Sequence, residues 1–255
     1  MKNNKKEFWI KSASKNLYCL FEKPENAKNR IILLLHGLTN DHLNCPLIDN
    51  TAKLLRRAGF STFRFDYFGS GKSDGEFVDK SWAIMIRNTV DILNFVKKKL
   101  KYKKIGIWGR SVGAILGATI CDDISIYASV LLSITIHTNI SFSASFPKNQ
   151  SFSFPIKGTA IVKGKPILKK EFYEKTKWID KIQKDHLKKA KNILIFQGTK
   201  DKTVYNPTWA REIYDLVNKP KKLLYIKNAD HSYSSYENKT INETIKWFKE
   251  LSLPK

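Results

Sequence analysis

Three side chains able to share out an acyl transfer lie far apart in this chain: Ser111, Asp201 and His231. Ser111 sits in Gly109-Arg110-Ser111-Val112-Gly113, a G-x-S-x-G pattern. A serine hydroxyl is not ionised at neutral pH, so it attacks a carbonyl only if a base takes its proton. An imidazole, with an unperturbed pKa near ~6.5, can accept that proton and return it to the leaving group. A carboxylate behind the ring fixes its tautomer and stabilises the imidazolium. The attacked carbonyl becomes an oxyanion and needs donors already in place; loss of one typically costs ~3–4 kcal/mol of transition-state stabilisation. The backbone N–H of Val112, at the start of the helix after the nucleophile, is one such donor. The second should come from the loop after the third strand, where Leu38 follows His36-Gly37.

These groups act together only if the fold brings them to one place. The residues before Ser111, Ile105-Gly-Ile-Trp-Gly109, form an apolar run suited to a buried parallel strand, and those after it are small helix formers. A strand that turns sharply into a helix exposes the residue at the turn. Glycines two before and two after it let the backbones approach closely. The same alternation recurs along the chain. Strands are expected at 7–10, 17–21, 31–35, 60–65, 104–108, 127–134, 192–197 and 222–227. Helices are expected at 46–58, 81–100, after Ser111, 207–217 and 237–251. Strand–helix alternation of this kind predicts an α/β fold, a mostly parallel sheet with helices on both faces. Ser111, Asp201 and His231 then all fall at carboxyl ends of strands, the ligand-binding edge of such a sheet.

The period breaks between about 133 and 191, which reads as a cap inserted into a core formed by 1–132 and 192–255. Its segment 141–166 alternates polar and aromatic residues and could hold a short hairpin; 171–189 reads as a helix. Its rings (Phe142, Phe146, Phe152, Phe154, Phe172, Tyr173 and Trp178) either line a hydrophobic acyl or alcohol pocket or pack the cap onto the core.

Other groups are weaker candidates. Gly69-Ser-Gly-Lys-Ser73 invites comparison with a phosphate-binding loop, but that motif needs a glycine five residues before Gly71, and Asp66 stands there. Asp66, expected to hold its own loop, and Asp180 and Asp185 are rivals to Asp201 as the acid. His36 is expected to pack beneath the Leu38 loop. His42, His137 and His186 read as surface or cap residues, and Asp230 as pointing away from the site. No spacing suits a metal, and neither a metal nor another cofactor is expected.

Composition sets the outer limits. The 255 residues, 42% hydrophobic, suffice for one large domain, and no apolar run is long enough to span a membrane. The basic N-terminus lacks an apolar segment, so no secretory signal is expected. Cys19, Cys45 and Cys121 are widely spaced and read as reduced, buried thiols of a cytoplasmic protein. Lys and Arg number 46 against 23 acidic residues, a net charge of +23. That charge suits a nucleic-acid or anionic-membrane surface. A generally lysine- and asparagine-rich composition accounts for it as well, and no arginine-rich arm or helix-turn-helix pattern supports specific nucleic-acid binding.

The series HGLTND, FDYFGSGKSDGEF, GRSVG, GTKDKTV and ADHSY resembles the α/β-hydrolase superfamily. Within it, the series is similar to bacterial feruloyl and cinnamoyl esterases and to the monoglyceride-lipase and serine-aminopeptidase-like branch. The resemblance implies a Ser111–Asp201–His231 triad, Leu38 and Val112 as oxyanion donors, and a cap after the sixth strand. Leu38 replaces the aromatic residue usual in feruloyl-type enzymes, and Arg110 and Val112 stand where those enzymes often carry His and Gln. The expected activity is cleavage of a small-molecule carboxylic ester through an acyl-enzyme. Thioesterase, acyltransferase or peptidase chemistry on the same residues, and a non-catalytic basic binding module on the same scaffold, are the alternatives.

Overall fold

The computed structural model describes residues 4–27, 29–42, 45–145, 168–204, 206 and 208–252. Eight strands form one sheet in the order β1-β2-β4-β3-β5-β6-β7-β8. They are β1 (Asn4–Ser12), β2 (Lys15–Lys23), β3 (Ile31–Leu35), β4 (Ser61–Phe65), β5 (Ile105–Arg110), β6 (Ile126–Leu132), β7 (Ile193–Gly198) and β8 (Lys221–Ile226). From β4 to β8 every neighbouring pair is parallel; β2 runs antiparallel to both β1 and β4. The helices are α1 (Pro46–Arg57), α2 (Trp82–Lys98), α3 (Val112–Ala118), α4 (Thr138–Ser145), α5 (Lys170–Glu174), α6 (Thr176–Leu187), α7 (Thr208–Leu216) and α8 (Glu237–Glu250).

The central strands are apolar throughout because both faces of the sheet are covered. In β3, Ile32 and Leu34 join a core with Ile48 and Leu55 of α1 and Trp247 and Phe248 of α8. Ile31, Leu33 and Leu35 point the other way, into a core with Trp82 and Ile92 of α2, Leu116 of α3 and Ile179 of α6. This is the two-residue alternation of a pleated strand, with both sides dry.

Register decides which loops meet. Leu35 pairs with Gly109, Arg110 with Leu132, Leu132 with Phe196, and Gly198 with Ile226. Strands β3, β5, β6, β7 and β8 therefore end nearly level, and the loops carrying Leu38, Ser111, Ser133, Asp201 and His231 leave the sheet side by side.

The expected elements differ from the observed ones in three places. The first hairpin is longer than the apolar runs suggest, and its turn is Ala13-Ser14, with φ of 46° and 66°. Two consecutive positive φ values match the twist of the flanking strands. Residues 138–145, expected in an irregular or hairpin segment, form α4, whose first turn is held by Asp180 accepting from the Thr138 N–H and hydroxyl. The rest of the expected hairpin lies outside the described residues. The single helix expected over 171–189 is broken into α5 and α6. The Phe172 carbonyl accepts instead from the Trp82 indole N–H at 3.1 Å, and the Tyr173 carbonyl from the Thr176 hydroxyl at 2.8 Å.

Trp82 is fully buried, with its ring stacked 4.7 Å from Phe172 and edge-on to Phe142 at 5.8 Å. It is the peg on which α4 and α5 are hung. Trp82→Ala should lower unfolding free energy by about 3–5 kcal/mol in urea denaturation, and should speed proteolysis between 133 and 191 before global unfolding.

Candidate active site

Ser111 lies between β5 and α3 with φ 57° and ψ −125°, a conformation side chains rarely adopt. The surrounding backbone holds it there. Its N–H donates to the Leu132 carbonyl at 2.9 Å, and its own carbonyl accepts from Ala114 and Ile115. A Cβ at Gly113 would lie 2.1 Å from the Leu35 carbonyl oxygen, and one at Gly109 would lie 2.4 Å from that of Gly113. Only glycine permits strand β3, the turn and helix α3 to pack this closely. The turn places Ser111 on the wall of a cavity of about 310 Å³, shared with Leu38, Val112, Ser133, Phe142, Val204 and His231.

His231 and Asp201 are in direct contact. The ring Nδ1 lies 2.9 Å and 3.1 Å from the two carboxylate oxygens. The Asp201 carboxylate is wholly buried. Burial opposes its charge, but hydrogen bonds from His231, the Ser133 hydroxyl (2.6 Å) and the Val204 N–H (2.9 Å) outweigh that and hold its carboxyl below the usual range. The Thr203 N–H donates to it as well. Asp201 is thus ionised across the neutral range and can orient the ring with Nδ1 protonated. Nε2 is then left as the basic nitrogen. Among the described residues no hydrogen bond joins Ser111 to His231; such contacts often tighten only when substrate is bound.

Leu38 and Val112 line the same cavity as Ser111. Val112 is the first residue of α3, where the N–H has no partner within the helix. Leu38 is the second residue of a four-residue turn closed by the Asn40 N–H donating to the Gly37 carbonyl at 3.3 Å. Beneath the turn His36 is fully buried, with Nδ1 donating to the Gly37 carbonyl at 2.7 Å and Nε2 accepting from the Tyr67 N–H at 3.3 Å. Burial pushes its pKa down to about 4, so it is a neutral strut.

Three residues of the site were not singled out from sequence. Ser133, at the end of β6 with φ 50°, donates to Asp201 and lies 3.0 Å from the Tyr233 hydroxyl. Tyr233, also buried, donates to the Phe196 carbonyl at 3.1 Å. Asn40 accepts from the Arg110 guanidinium at 2.6 Å, and the same guanidinium donates to the His231 carbonyl at 3.2 Å. Arg110 therefore bridges the Leu38 turn and the histidine loop. It is only 6% exposed, and no carboxylate pairs with it among the described residues. A position at a strand's carboxyl end was the signal for Ser133; the bridge through Arg110 had none.

The remaining candidates go elsewhere. His42, expected at the surface or cap, is buried: its Nδ1 lies 2.6 Å from Asp66, which also accepts from the His42 and Lys72 amides. The correction follows from packing, because the chain after β3 tucks under the 67–75 loop. Asp180 caps α4, Asp185 is exposed, and Asp230 accepts from the amides of Ser232 and Ser234. His137 pairs with Glu212 and His186 with Asp122. Of the cap rings, Phe142 borders the cavity, Phe172 packs on Trp82, and Trp178 is 42% exposed. Phe146, Phe152 and Phe154 lie outside the described residues. Among those residues no cluster of three or more metal-ligating side chains occurs.

Comparison with known proteins agrees with this architecture. The family model for serine aminopeptidase, S33, matches residues 26–187. That span includes Leu38, Ser111 and Val112 and stops short of Asp201 and His231. Over 103 residues the chain is 33% identical to an Escherichia coli protein named an uncharacterized 31.7 kDa protein in the traX-finO intergenic region. The match covers 39% of this chain and spans only 35% of that relative's length. Among solved structures, Est1E from Butyrivibrio proteoclasticus with bound ferulic acid superposes with a TM-score of 0.79 at 20% identity, covering 96% of this chain and 98% of that one. The Pyrococcus furiosus esterase Pf2001 gives 0.70 at 17% identity, with 97% and 91% covered. Dienelactone hydrolase from Anabaena variabilis gives 0.68 at 15% identity, with 98% and 99% covered. Sheet order, elbow and family model converge: the chain belongs to the serine aminopeptidase, S33, family and has the α/β-hydrolase fold.

Proposed function

We propose that this hydrolase cleaves small carboxylic esters through an acyl-enzyme on Ser111. The observation that carries the reading is the buried, ionised Asp201 held against His231 on the cavity that Ser111 enters at a strained turn. His231 Nε2 takes the Ser111 proton as the hydroxyl attacks the ester carbonyl. The Leu38 and Val112 amides receive the oxyanion, and the returning proton leaves with the alcohol. Water activated by the same nitrogen then releases the acid. Ser133, Thr135, Ser141 and Phe142, from the segment after β6, line the cavity, with Phe142 against the bound acyl or alcohol group. The polar remainder of the wall, with Ser133, Thr135, Ser141 and Thr203, favours a short or polar substrate over a long acyl chain.

A thioester or ester carrying negative charge is the second reading. Arg110, in the cavity wall without a carboxylate partner among the described residues, favours it. A comparison of neutral p-nitrophenyl esters with acyl-CoA thioesters and aminoacyl amides separates these classes by kcat/KM. The three free, buried cysteines suit a reducing, cytoplasmic setting.

A fluorophosphonate probe should label the wild type at Ser111 and leave Ser111→Ala unlabelled; a wild type that takes no label and cleaves no ester would return the chain to the binding-module reading. Asp201→Asn should lower kcat about 10³–10⁴-fold, with KM changed little, because the ring loses both its charge partner and its fixed tautomer. Steady-state kinetics on p-nitrophenyl butyrate measure both.

A further inference from the structure

The Gly69-Ser-Gly-Lys-Ser73 loop lacks the spacing of a phosphate-binding loop, yet it is tied to the site through Lys80. Lys80, just after the 3₁₀ turn Phe77–Asp79, is only 2% exposed. Its Nζ donates to the Leu38 carbonyl at 2.9 Å and to the Ser70 hydroxyl at 2.6 Å, and lies 4.3 Å over the Phe77 ring. No carboxylate forms an ion pair with it among the described residues. A buried ammonium without a direct counter-charge is expensive to keep, and here it is held by one backbone carbonyl and one hydroxyl.

That carbonyl belongs to the Leu38–Thr39 peptide, the central unit of the turn closed between Gly37 and Asn40. Central peptides of four-residue turns are the ones that distinguish type I from type II, the two differing by a rotation of that unit. Rotated, this one would carry the Leu38 oxygen away from Lys80, toward the cavity that Leu38 and Thr39 line. An oxygen there repels a developing oxyanion. In the observed orientation the peptide is trans, so the Thr39 N–H points away from Lys80, opposite the carbonyl.

We propose that Lys80 is a positioning residue of the oxyanion site, whose ammonium holds the Leu38–Thr39 peptide so that the Leu38 carbonyl oxygen stays away from the cavity served by the Leu38 N–H of the preceding peptide. The inference rests on the reading of Leu38 as an oxyanion donor. It also makes the site sensitive to pH. Burial draws the Lys80 pKa from 10.5 down to about 7, against the pull of Asp66 at the end of β4 and Asp41 after the turn. The other titratable groups facing it are His36, which is neutral, and His42 across Asp66. As pH rises past about 7 the ammonium becomes an amine and holds the carbonyl less tightly. The sign for stability is opposite: a lysine whose folded pKa is depressed destabilises the fold while protonated, and that penalty is relieved as pH rises from about 7 toward 10.5. Lys80→Met removes the buried charge, so at pH 6 the variant should melt no lower than the wild type.

The test uses full-length wild type, Lys80→Met, Ser70→Ala and Ser111→Ala. With p-nitrophenyl butyrate, Lys80→Met should lower kcat about 10- to 100-fold at pH 6 with KM within about twofold, the signature of misplaced transition-state contacts. The wild-type kcat should decline above about pH 7, and Lys80→Met should lose that decline. Ser70→Ala, which keeps the ammonium but removes one acceptor, should move the decline to lower pH. Amide exchange gives a readout free of activity: the Asn40 N–H should exchange at least about tenfold faster in Lys80→Met. A folded Lys80→Met with wild-type kcat, the same pH decline, or unchanged Asn40 exchange overturns the proposal. If Lys80→Met does not fold, an unshifted decline in Ser70→Ala overturns it. Residual hydrolysis by Ser111→Ala at the wild-type rate, with Asn40 exchange still altered by Lys80→Met, would instead refute the acyl-enzyme on Ser111 and leave the lock standing.

Discussion

The close approach of three backbones around Ser111 is the constraint on which the rest depends. β3, the turn out of β5 and the first residues of α3 share a space too small for a methyl group at Gly109 or Gly113. A residue with φ 57° is unfavourable alone and persists because its surroundings over-determine it. Three hydrogen bonds do so: Ser111 N–H to Leu132, and the amides of Ala114 and Ile115 to Ser111. The first ties the nucleophile to β6, the strand whose next residue, Ser133, donates to Asp201. Strain at one residue is thus coupled to the placement of the acid.

Buried charge is distributed to serve this arrangement. Asp201 keeps its charge at the β7 edge because four donors face it. Asp66 does the same at the β4 edge with His42 and the Lys72 amide. Of the buried cations, Arg64 pairs with carboxylates, whereas Arg110 and Lys80 use backbone carbonyls, an amide oxygen and a hydroxyl as partners. Each links loops from different strands. Arg110 joins the Leu38 turn to the His231 loop, and Lys80 joins that turn to the 67–75 loop. In an interior of low dielectric such bonds are strong, and unmaking one is costly, so the loops behave as one rigid rim.

Much of this was legible in the residues. Continuous apolar runs such as Ile31–Leu35 mark strands buried on both faces, and α1 begins at Pro46, a residue suited to a first turn. The glycines around Ser111 announce a turn where backbones meet. What escaped was contact at a distance. Nothing local shows that His42 lies against Asp66, that Trp82 would take the Phe172 carbonyl and break a helix, or that Lys80 reaches Leu38 across 42 residues. Side-chain hydrogen bonds between loops have no period for a sequence to display.

The sequence by itself determined the alternation of strands and helices, the elbow and the chain order of serine, acid and histidine, because these follow from hydrophobic period and from glycine's freedom at single positions. Only the tertiary structure decided which polar groups share a buried space: Ser133 on Asp201, Arg110 across two loops, Lys80 under the Leu38 turn. Those partnerships are set by strand register, which brings carboxyl ends level, and by the penalty for leaving any buried donor or acceptor without a partner.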